Sequence, residues 1–301
     1  MILAVGEILF DHFPEGKRLG GAPFNFAAHL RALGLPVTFI SRIGADEAGD
    51  AILEALVRRG FDLATIQRDP RHETGRVTVT LDEEGVPEFT IVPNVAYDHL
   101  AYTDAVATAL ARAPDLIYFG TLIQRSRAAA GTVMKILETR LPTTRCLCDL
   151  NLRRNGYSLN SITKSLIHCD VLKLNTGELS TLKSLFKAHS DDALFVADLM
   201  HNFAVTWVSL TSGAEGSSLF TRDEVFSVGP EESAGVADTV GAGDAYAAIL
   251  AAGSLLGWPP VTILQRAARF AAAVCGIPGA IPEDPEFYQP FLGWVNTGGE
   301  R

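Results

Sequence analysis

The run Asp238-Thr239-Val240-Gly241-Ala242-Gly243-Asp244 sets two glycines, one small alanine and a carboxylate at the start of a helical stretch, AYAAILAAGSLLG. Glycines leave backbone N–H groups bare, and a helix start carries about half a positive charge, so the turn is an anion hole. An acid in a first helical turn often does no more than cap the helix. Capping, however, does not call for the glycines that precede Asp244. A carboxylate beside an anion hole can take a proton from a hydroxyl while the hole steadies an incoming phosphoryl group. Phosphoryl transfer to an alcohol needs that pair: a base on the nucleophile, and donors where charge collects on oxygen.

Five further segments carry residue types that suit a ligand site, each with a plainer reading beside it. In Gly20-Gly21-Ala22-Pro23-Phe24-Asn25 the glycine pair permits close backbone approach, Pro23 suits a first helical turn and Gly34 ends the helix. A tight turn before a core helix gives the same pattern. Asp11 follows the first strand and alone would be a solvated loop acid. Cys148-Asp149-Leu150-Asn151-Leu152-Arg153 ends a strand, where ligands of open α/β sheets bind; Arg153 suits a bidentate phosphate contact or a surface ion pair. Asn175-Thr176-Gly177-Glu178 by itself is a helix start with an acidic first turn. Thr211-Ser212-Gly213-Ala214-Glu215-Gly216 by itself is a glycine-rich hairpin turn. His29, among apolar neighbours, reads as packing.

D-T-V-G-A-G-D resembles the C-terminal signature of the ribokinase-like, or PfkB, carbohydrate kinases, and the other segments fall in that family's order from residue 1 to about 282, where CGIPGAIP closes the likeness. The resemblance implies that Asp244 is the catalytic base and that Gly241, Ala242 and Gly243 form the anion hole. It implies sugar contacts from Asp11, Gly20, Gly21 and Asn25, and places Asn151 and Arg153 in the D-x-N-x-R motif beside the substrate. Asn175, Thr211, Gly213 and Gly216 then face ATP, and Glu178 of N-x-x-E acts on Mg²⁺ through water. The peptide around Asp238 and Val240 resembles a monovalent-cation (K⁺) site of several family members. This chain departs from many relatives in having Leu150 for a proline, and Arg266-Ala267-Ala268-Arg269-Phe270 where an asparagine meets adenine. GGAPFNFAAHLRALG, FGTLIQRS and CDLNLRRNGYS look most like bacterial fructokinases, which implies fructose as acceptor. Kinases of 2-keto-3-deoxygluconate, ribose or nucleosides are the alternatives within the family, and a non-catalytic sugar sensor is the alternative of another class.

Short apolar runs alternate with helical patterns along the chain. Strands are expected at Ile2–Val5, Val37–Ile43, Asp115–Gly120, Arg145–Asp149, Val171–Leu174, Val205–Leu210 and Ser217–Thr221. Helices are expected near 23–33, 47–59, 103–113, 126–139, 176–187, 192–202, 242–256 and 261–275. Such alternation predicts an α/β domain with a mostly parallel sheet covered on both faces; by resemblance this is the three-layer αβα ribokinase-like fold. Thr74–Val92 breaks the pattern: Val77, Val79 and Leu81 alternate with polar residues and Glu83-Glu84-Gly85 supplies a turn, which predicts an antiparallel hairpin with one wet face. Such a hairpin serves as a lid, a dimer contact or a decorative edge, and Phe89 is its one aromatic. One domain over 1–301 is expected, with lid strands at about 8–20 and 74–97. A homodimer through the lid is a further implication of the resemblance, although Val77, Val79 and Leu81 could equally cover the protein's own core.

Bulk properties narrow the class. The 301 residues are 48% hydrophobic and 20% charged, ample for a core and unlike a disordered chain. The formal net charge of −10 argues against nucleic acid, whose phosphates need a basic face. The first residues, MILAVGEILFDHF, lack the basic flank and apolar length of a signal peptide. No run reaches the ~18 apolar residues of a membrane span, so a cytoplasmic protein is expected. Cys146, Cys148, Cys169 and Cys275 show no CxxC or Cys/His ligand spacing and read as buried free thiols, with Cys146 and Cys148 on one strand face. A Rossmann dehydrogenase would need G-x-G-x-x-G after the first strand, and a Walker kinase G-x-x-x-x-G-K-[ST]; neither string occurs.

Overall fold

Ile2–Val5 (β1) is apolar and buried at every position, as only a strand covered on both faces can be. In the computed structural model, which describes residues 1–13, 16–81, 87–154, 156–231, 235 and 238–295, β1 lies inside a nine-stranded sheet. The other strands are β2 (Leu9–Phe13), β3 (Gly16–Gly20), β4 (Val37–Gly44), β5 (Ile66–Asp69), β6 (Gly75–Leu81), β7 (Pro87–Ile91), β8 (Leu116–Gly120), β9 (Arg145–Asp149), β10 (Val171–Asn175), β11 (Trp207–Thr211), β12 (Ser217–Phe220) and β13 (Val225–Val228). The helices are α1 (Ala22–Ala32), α2 (Glu47–Arg58), α3 (Asp104–Ala111), α4 (Arg127–Glu138), α5 (Leu159–Ile167), α6 (Thr176–Phe186), α7 (Asp192–Phe203), α8 (Ala242–Leu256), α9 (Pro260–Cys275) and α10 (Gln289–Val295).

The large sheet runs β13-β12-β11-β10-β9-β8-β1-β4-β5. It is parallel from β11 to β5, with β12 and β13 antiparallel at one edge. Side chains alternate faces along each strand: Ile2 and Ala4 enter a core with α1, α2, α8 and α9, while Leu3 and Val5 enter a second core with α3 to α7. Two cores on one sheet make the three-layer αβα architecture. Cys146 and Cys148 both belong to the second core; Cys169 is buried there too, whereas Cys275 is only half-buried.

Helix α8 is buried over ten consecutive residues, Ala245–Ser254. Its alanines let it sit close to both α1 and α9, with which it shares the first core. The sequence pattern passed over α5, α10, β5 and β13. In α5 only Ile162 and Leu166 of the apolar positions are buried, and serines supply the rest of its inner face. The helix is set instead by Ser158, whose side chain accepts from the Ser161 amide.

A second sheet, β3-β2-β6-β7, stands apart from the first. β2 pairs with β6 in parallel, from Leu9 opposite Gly75, and β6 pairs with β7 antiparallel. Gly75 is where the ring of Tyr97 lies on the sheet: a Cβ there would come within 2.5 Å of Tyr97 Cε1. The strands end at Ile91, and Ala96–His99 is a 3₁₀ turn of the main body with Tyr97 and Asp98 buried. Val77 is buried and Thr78 exposed. The turn at 83–85 and the side chains of Val79, Leu81 and Phe89 lie outside the described residues, as does Ala237 beside the glycine-rich turn.

Candidate active site

The parallel strands deliver their C-terminal ends to one edge. Register places Asp149 of β9 opposite Lys173 of β10, and Asn175 of β10 opposite Thr211 of β11. β1 leads to the same edge through Gly6 and Glu7. The packing there is tight, since a Cβ on Gly6 would meet Pro23 Cγ at 2.2 Å.

Asp244 stands in the first turn of α8, just after Gly241. Gly241 is left-handed (φ 80), and a Cβ on it would meet that of Ala280 at 2.4 Å. Among the described residues no side chain caps this helix, so its first amides and its positive end are available to an anion. Asp238 folds the approach to the turn: Oδ1 accepts from the Val240 amide at 3.0 Å and Oδ2 from the Gly279 amide at 3.1 Å, while Arg18 of β3 lies 3.4 Å from Oδ2. The CGIPGAIP segment thus clasps the turn from behind.

The Asp244 carboxylate is bound by Asn25 of α1, whose Nδ2 donates to Oδ2 at 2.7 Å. Asn25 is 4% exposed, and its Oδ1 has no partner among the described residues. Burial, and next the charge of Asp149, push the Asp244 carboxyl up to about 7 against the pull of Asn25, Lys173 and Arg153. Glu7 is 3% exposed; burial raises it to about 7, and its Oε2 is likewise without a partner among the described residues. Burial lifts Asp11 to about 6. The exposed guanidinium of Arg153 favours the ionised forms of Glu7, Asp11 and Asp244, which puts all four around one cleft.

The glycine pair has a reason other than ligand approach. A Cβ on Gly20 would come within 2.7 Å of Asp11 Oδ2, and one on Gly21 (φ 109) within 2.6 Å of the Glu7 carbonyl oxygen. These glycines let Asp11 and Glu7 lie against the start of α1. His29, as packing requires, is fully buried, bonds through Nδ1 to the Tyr288 hydroxyl at 3.0 Å and lies edge-on to Phe270.

Asn175 and Glu178 form a reciprocal cap: Asn175 Oδ1 accepts from the Glu178 amide at 2.9 Å, and Glu178 Oε2 from the Asn175 amide at 2.8 Å. Glu178 Oε1 also accepts from the Leu152 amide at 2.9 Å, tying α6 to the loop of Asn151, a residue held at φ 39. The plain helix-start reading of this tetrapeptide is therefore realised. Gly213 and Gly216 are left-handed (φ 55 and 99), and a Cβ on Gly216 would lie 2.1 Å from the Val228 carbonyl oxygen; Thr211 leads into that turn. Arg266 does not replace the missing asparagine, because it stacks on Trp258 and Trp294, 4.2 and 5.4 Å from the ring centroids.

The profile of pfkB family carbohydrate kinases matches residues 15–286. The chain belongs to the PfkB carbohydrate kinases. It is 29% identical over 273 residues to a fructokinase of Rhizobium leguminosarum bv. trifolii, covering 83% of this chain and 79% of that one. It is 27% identical over 273 residues to a 5-dehydro-2-deoxygluconokinase of Geobacillus thermodenitrificans, covering 87% and 78%. An uncharacterized sugar kinase of Pyrococcus horikoshii, solved in complex with ATP, superposes with a TM-score of 0.80 at 25% identity over 98% of this chain and 99% of that one. As a PfkB sugar kinase the chain is a phosphotransferase with an alcohol acceptor, on the ribokinase-like fold.

The site of this PfkB kinase also holds Lys173, which the sequence did not single out, paired with the aspartate of the D-x-N-x-R motif. Lys173 and Asp149 form an ion pair, 7% and 0% exposed, with Nζ 3.0 and 3.2 Å from the two carboxylate oxygens. The Tyr118 hydroxyl donates to Asp149 Oδ2 at 3.1 Å. Glu7 and Tyr97 are further buried polar groups beside the cleft. The one signal for Lys173 is a cation in the otherwise apolar Val-Leu-Lys-Leu run, one strand away from an aspartate. Among the described residues no helix is long and apolar enough to cross a membrane.

Proposed function

We propose that this PfkB kinase moves the γ-phosphoryl group of ATP to a hydroxyl of fructose, with Asp244 as the base. The observation that carries the reading is the carboxylate of Asp244, set at an uncapped helix start beside a left-handed glycine and held by Asn25 Nδ2 at 2.7 Å. Its raised value, about 7, suits a base that works near neutrality, where proton affinity and ionised fraction are both useful. The sugar lies along Glu7, Asp11 and Asn25. The free Oδ1 of Asn25 accepts one of its hydroxyls, and the acceptor hydroxyl gives its proton to Asp244 as its oxygen attacks. The amides of Gly241, Ala242 and Gly243 steady the phosphoryl oxygens as charge grows on them. The second sheet covers the sugar and excludes water that would compete as acceptor.

ATP as the donor is supported by the ATP-bound structure of the Pyrococcus relative, and in this reading it lies along Thr211, Gly213 and Gly216. Asn175 and Glu178 offer only oxygen toward Mg²⁺, as a hard cation prefers. Each Glu178 oxygen already accepts one amide, so its spare lone pairs suit water ligands of the ion. When bound, Mg²⁺ neutralises charge on the β- and γ-phosphates. At Asp238, Oδ2 already serves an amide and the Arg18 guanidinium, while Oδ1 accepts one amide, so a monovalent cation there would rest on Oδ1.

A keto-sugar acid is the second reading. The side chain of Arg153 is exposed at the cleft, with no hydrogen-bond partner among the described residues, and a guanidinium meets a carboxylate bidentately. A coupled ADP-release assay with ATP and Mg²⁺ across fructose, 2-keto-3-deoxygluconate, 5-dehydro-2-deoxygluconate, ribose and adenosine separates the readings. Turnover of fructose that falls about 10²–10⁴-fold in Asp244→Asn, with sugar binding retained, supports the first. Turnover of a sugar acid alone keeps the chemistry and replaces the acceptor, and an active Asp244→Asn enzyme overturns the mechanism.

A further inference from the structure

Beneath the anion-hole turn lies an ion pair that the reaction, as described so far, does not use. Lys173 Nζ sits where a side chain on Gly243 would point, 3.0 Å from the position of a Cβ there. The ammonium is held by both oxygens of Asp149, and Asp149 by the Tyr118 hydroxyl. Tyr118 in turn stacks on Phe26 of α1, with ring centroids 3.7 Å apart. Four elements, β8, β9, β10 and α1, therefore fix one cation and one anion directly below the first turn of α8.

A buried ion pair is poor evidence for stability, because desolvation offsets much of the attraction, and well-packed apolar residues often replace such pairs without loss. Its place in this protein is better explained by what lies above it. Asp149 alone would repel both an ionised Asp244 and an incoming phosphoryl group. Lys173 cancels that charge and leaves a cation facing Gly243.

Resting on the assignment of Asp244 as base, we propose that Lys173 and Asp149 are positioning residues that together set the protonation of Asp244 and the charge under the anion hole. Lys173 favours the ionised base and Asp149 opposes it. The charged and titratable groups that face Asp244 are Asp149 at the end of β9, Arg153 after it, Lys173 on β10, Tyr118 on β8 and Glu7 after β1. Of these, Lys173 and Asp149 are paired and carry opposite charges, so removing one or the other acts on Asp244 with opposite sign.

The test is the pH profile of kcat/KM for wild type, Lys173→Met, Asp149→Asn and the double variant, alongside ¹³C NMR titration of labelled aspartate carboxyls, with Asp244→Asn to assign the signal. Lys173→Met should move the acid limb and the Asp244 titration upward by about one pH unit, a tenfold loss of ionised base below the limb. Asp149→Asn should move both downward, and the double variant should fall between the single ones. Lys173→Arg, which keeps the charge, should leave the limb near that of wild type. Limbs that coincide while activity drops, or that move the same way in both single variants, would mean a merely structural pair and overturn the proposal. Should Lys173→Met fail to fold, the sign of the Asp149→Asn shift decides alone. An Asp244→Asn enzyme that still turns over would sink the base assignment instead, and the NMR titration then still reads whether the pair governs Asp244.

Discussion

Replacing Asn25 with alanine should move the acid limb of turnover upward by one to two pH units. Asn25 Nδ2 donates to Asp244 Oδ2 at 2.7 Å from a side chain that is 4% exposed. A hydrogen bond to a charged acceptor contributes about 1.5–3 kcal/mol, and one pKa unit corresponds to about 1.36 kcal/mol. Loss of the donor therefore raises Asp244 by about one to two units from its value of about 7. At pH 7 the ionised share of the base then falls from about one half to between about one tenth and one hundredth. The expected result is a loss in kcat/KM of about 5- to 50-fold at neutral pH that closes as the assay approaches roughly pH 9–10. Truncation also removes Oδ1, so a second loss, seen in KM and constant with pH, should accompany it. The assay is ADP release with saturating ATP over a pH series. A deficit that is the same at every pH would refute the claim that Asn25 holds the ionised base.

Gly241→Ala should lower both Tm and kcat, because the residue is left-handed and a Cβ would press on Ala280 at 2.4 Å; strain of this kind costs about 1–3 kcal/mol, readable by thermal melting. Glu178→Gln should cost about 1–3 kcal/mol in a urea titration, since an amide cannot accept from both the Leu152 and Asn175 N–H groups that the carboxylate serves. Asp69 is held well below the usual carboxylate range: burial acts to raise it, but the Arg71 amide, His72 and Arg42 together outweigh burial. A depressed carboxylate stabilises the fold above its unfolded value near 3.8, and that stability is lost as pH falls through the folded value. Asp69→Ala should therefore lower stability by about 3–5 kcal/mol at neutral pH, with the gap in Tm to wild type narrowing in acid.

The glycine-rich turn was legible because its meaning is local. Gly241 and Gly243 shape backbone that they themselves supply, Asp244 stands beside them in sequence, and the helix follows at once. β1 was legible to the residue because continuous burial writes itself as an unbroken apolar run, and β9 because its apolar Cys-Leu-Cys centre is bounded by the charged Arg145 and Asp149. The fold class followed from the alternation of strands and helices. Partners set by register or by distant segments were not legible. Nothing in the segment GGAPFN says that Asn25 will meet an aspartate 219 positions later. Lys173 meets Asp149 only because β9 and β10 pair in one register. The glycine pair at 20–21 announced a constraint but not its cause, which proved to be Asp11 and the Glu7 backbone. Strands β5 and β13 escaped because each is a four-residue piece with mixed burial, too short for periodicity to speak.

The bond between Asn25 and Asp244 also sets an order of events during synthesis. Helix α1 emerges from the ribosome early, yet the helices that cover it, α8 and α9, come from the far end of the chain. At roughly 5–20 residues per second, α1 waits on the order of 10–40 s for its partner. Until then Phe26 and Leu30 have no α8 to cover them, and a nascent chain with that surface bare is a natural client for a chaperone. Contacts spanning so much sequence also slow the final closure. A product cut short before residue 244 cannot form the Asn25–Asp244 pair, so under the proposed mechanism phosphoryl transfer waits for the last quarter of the chain.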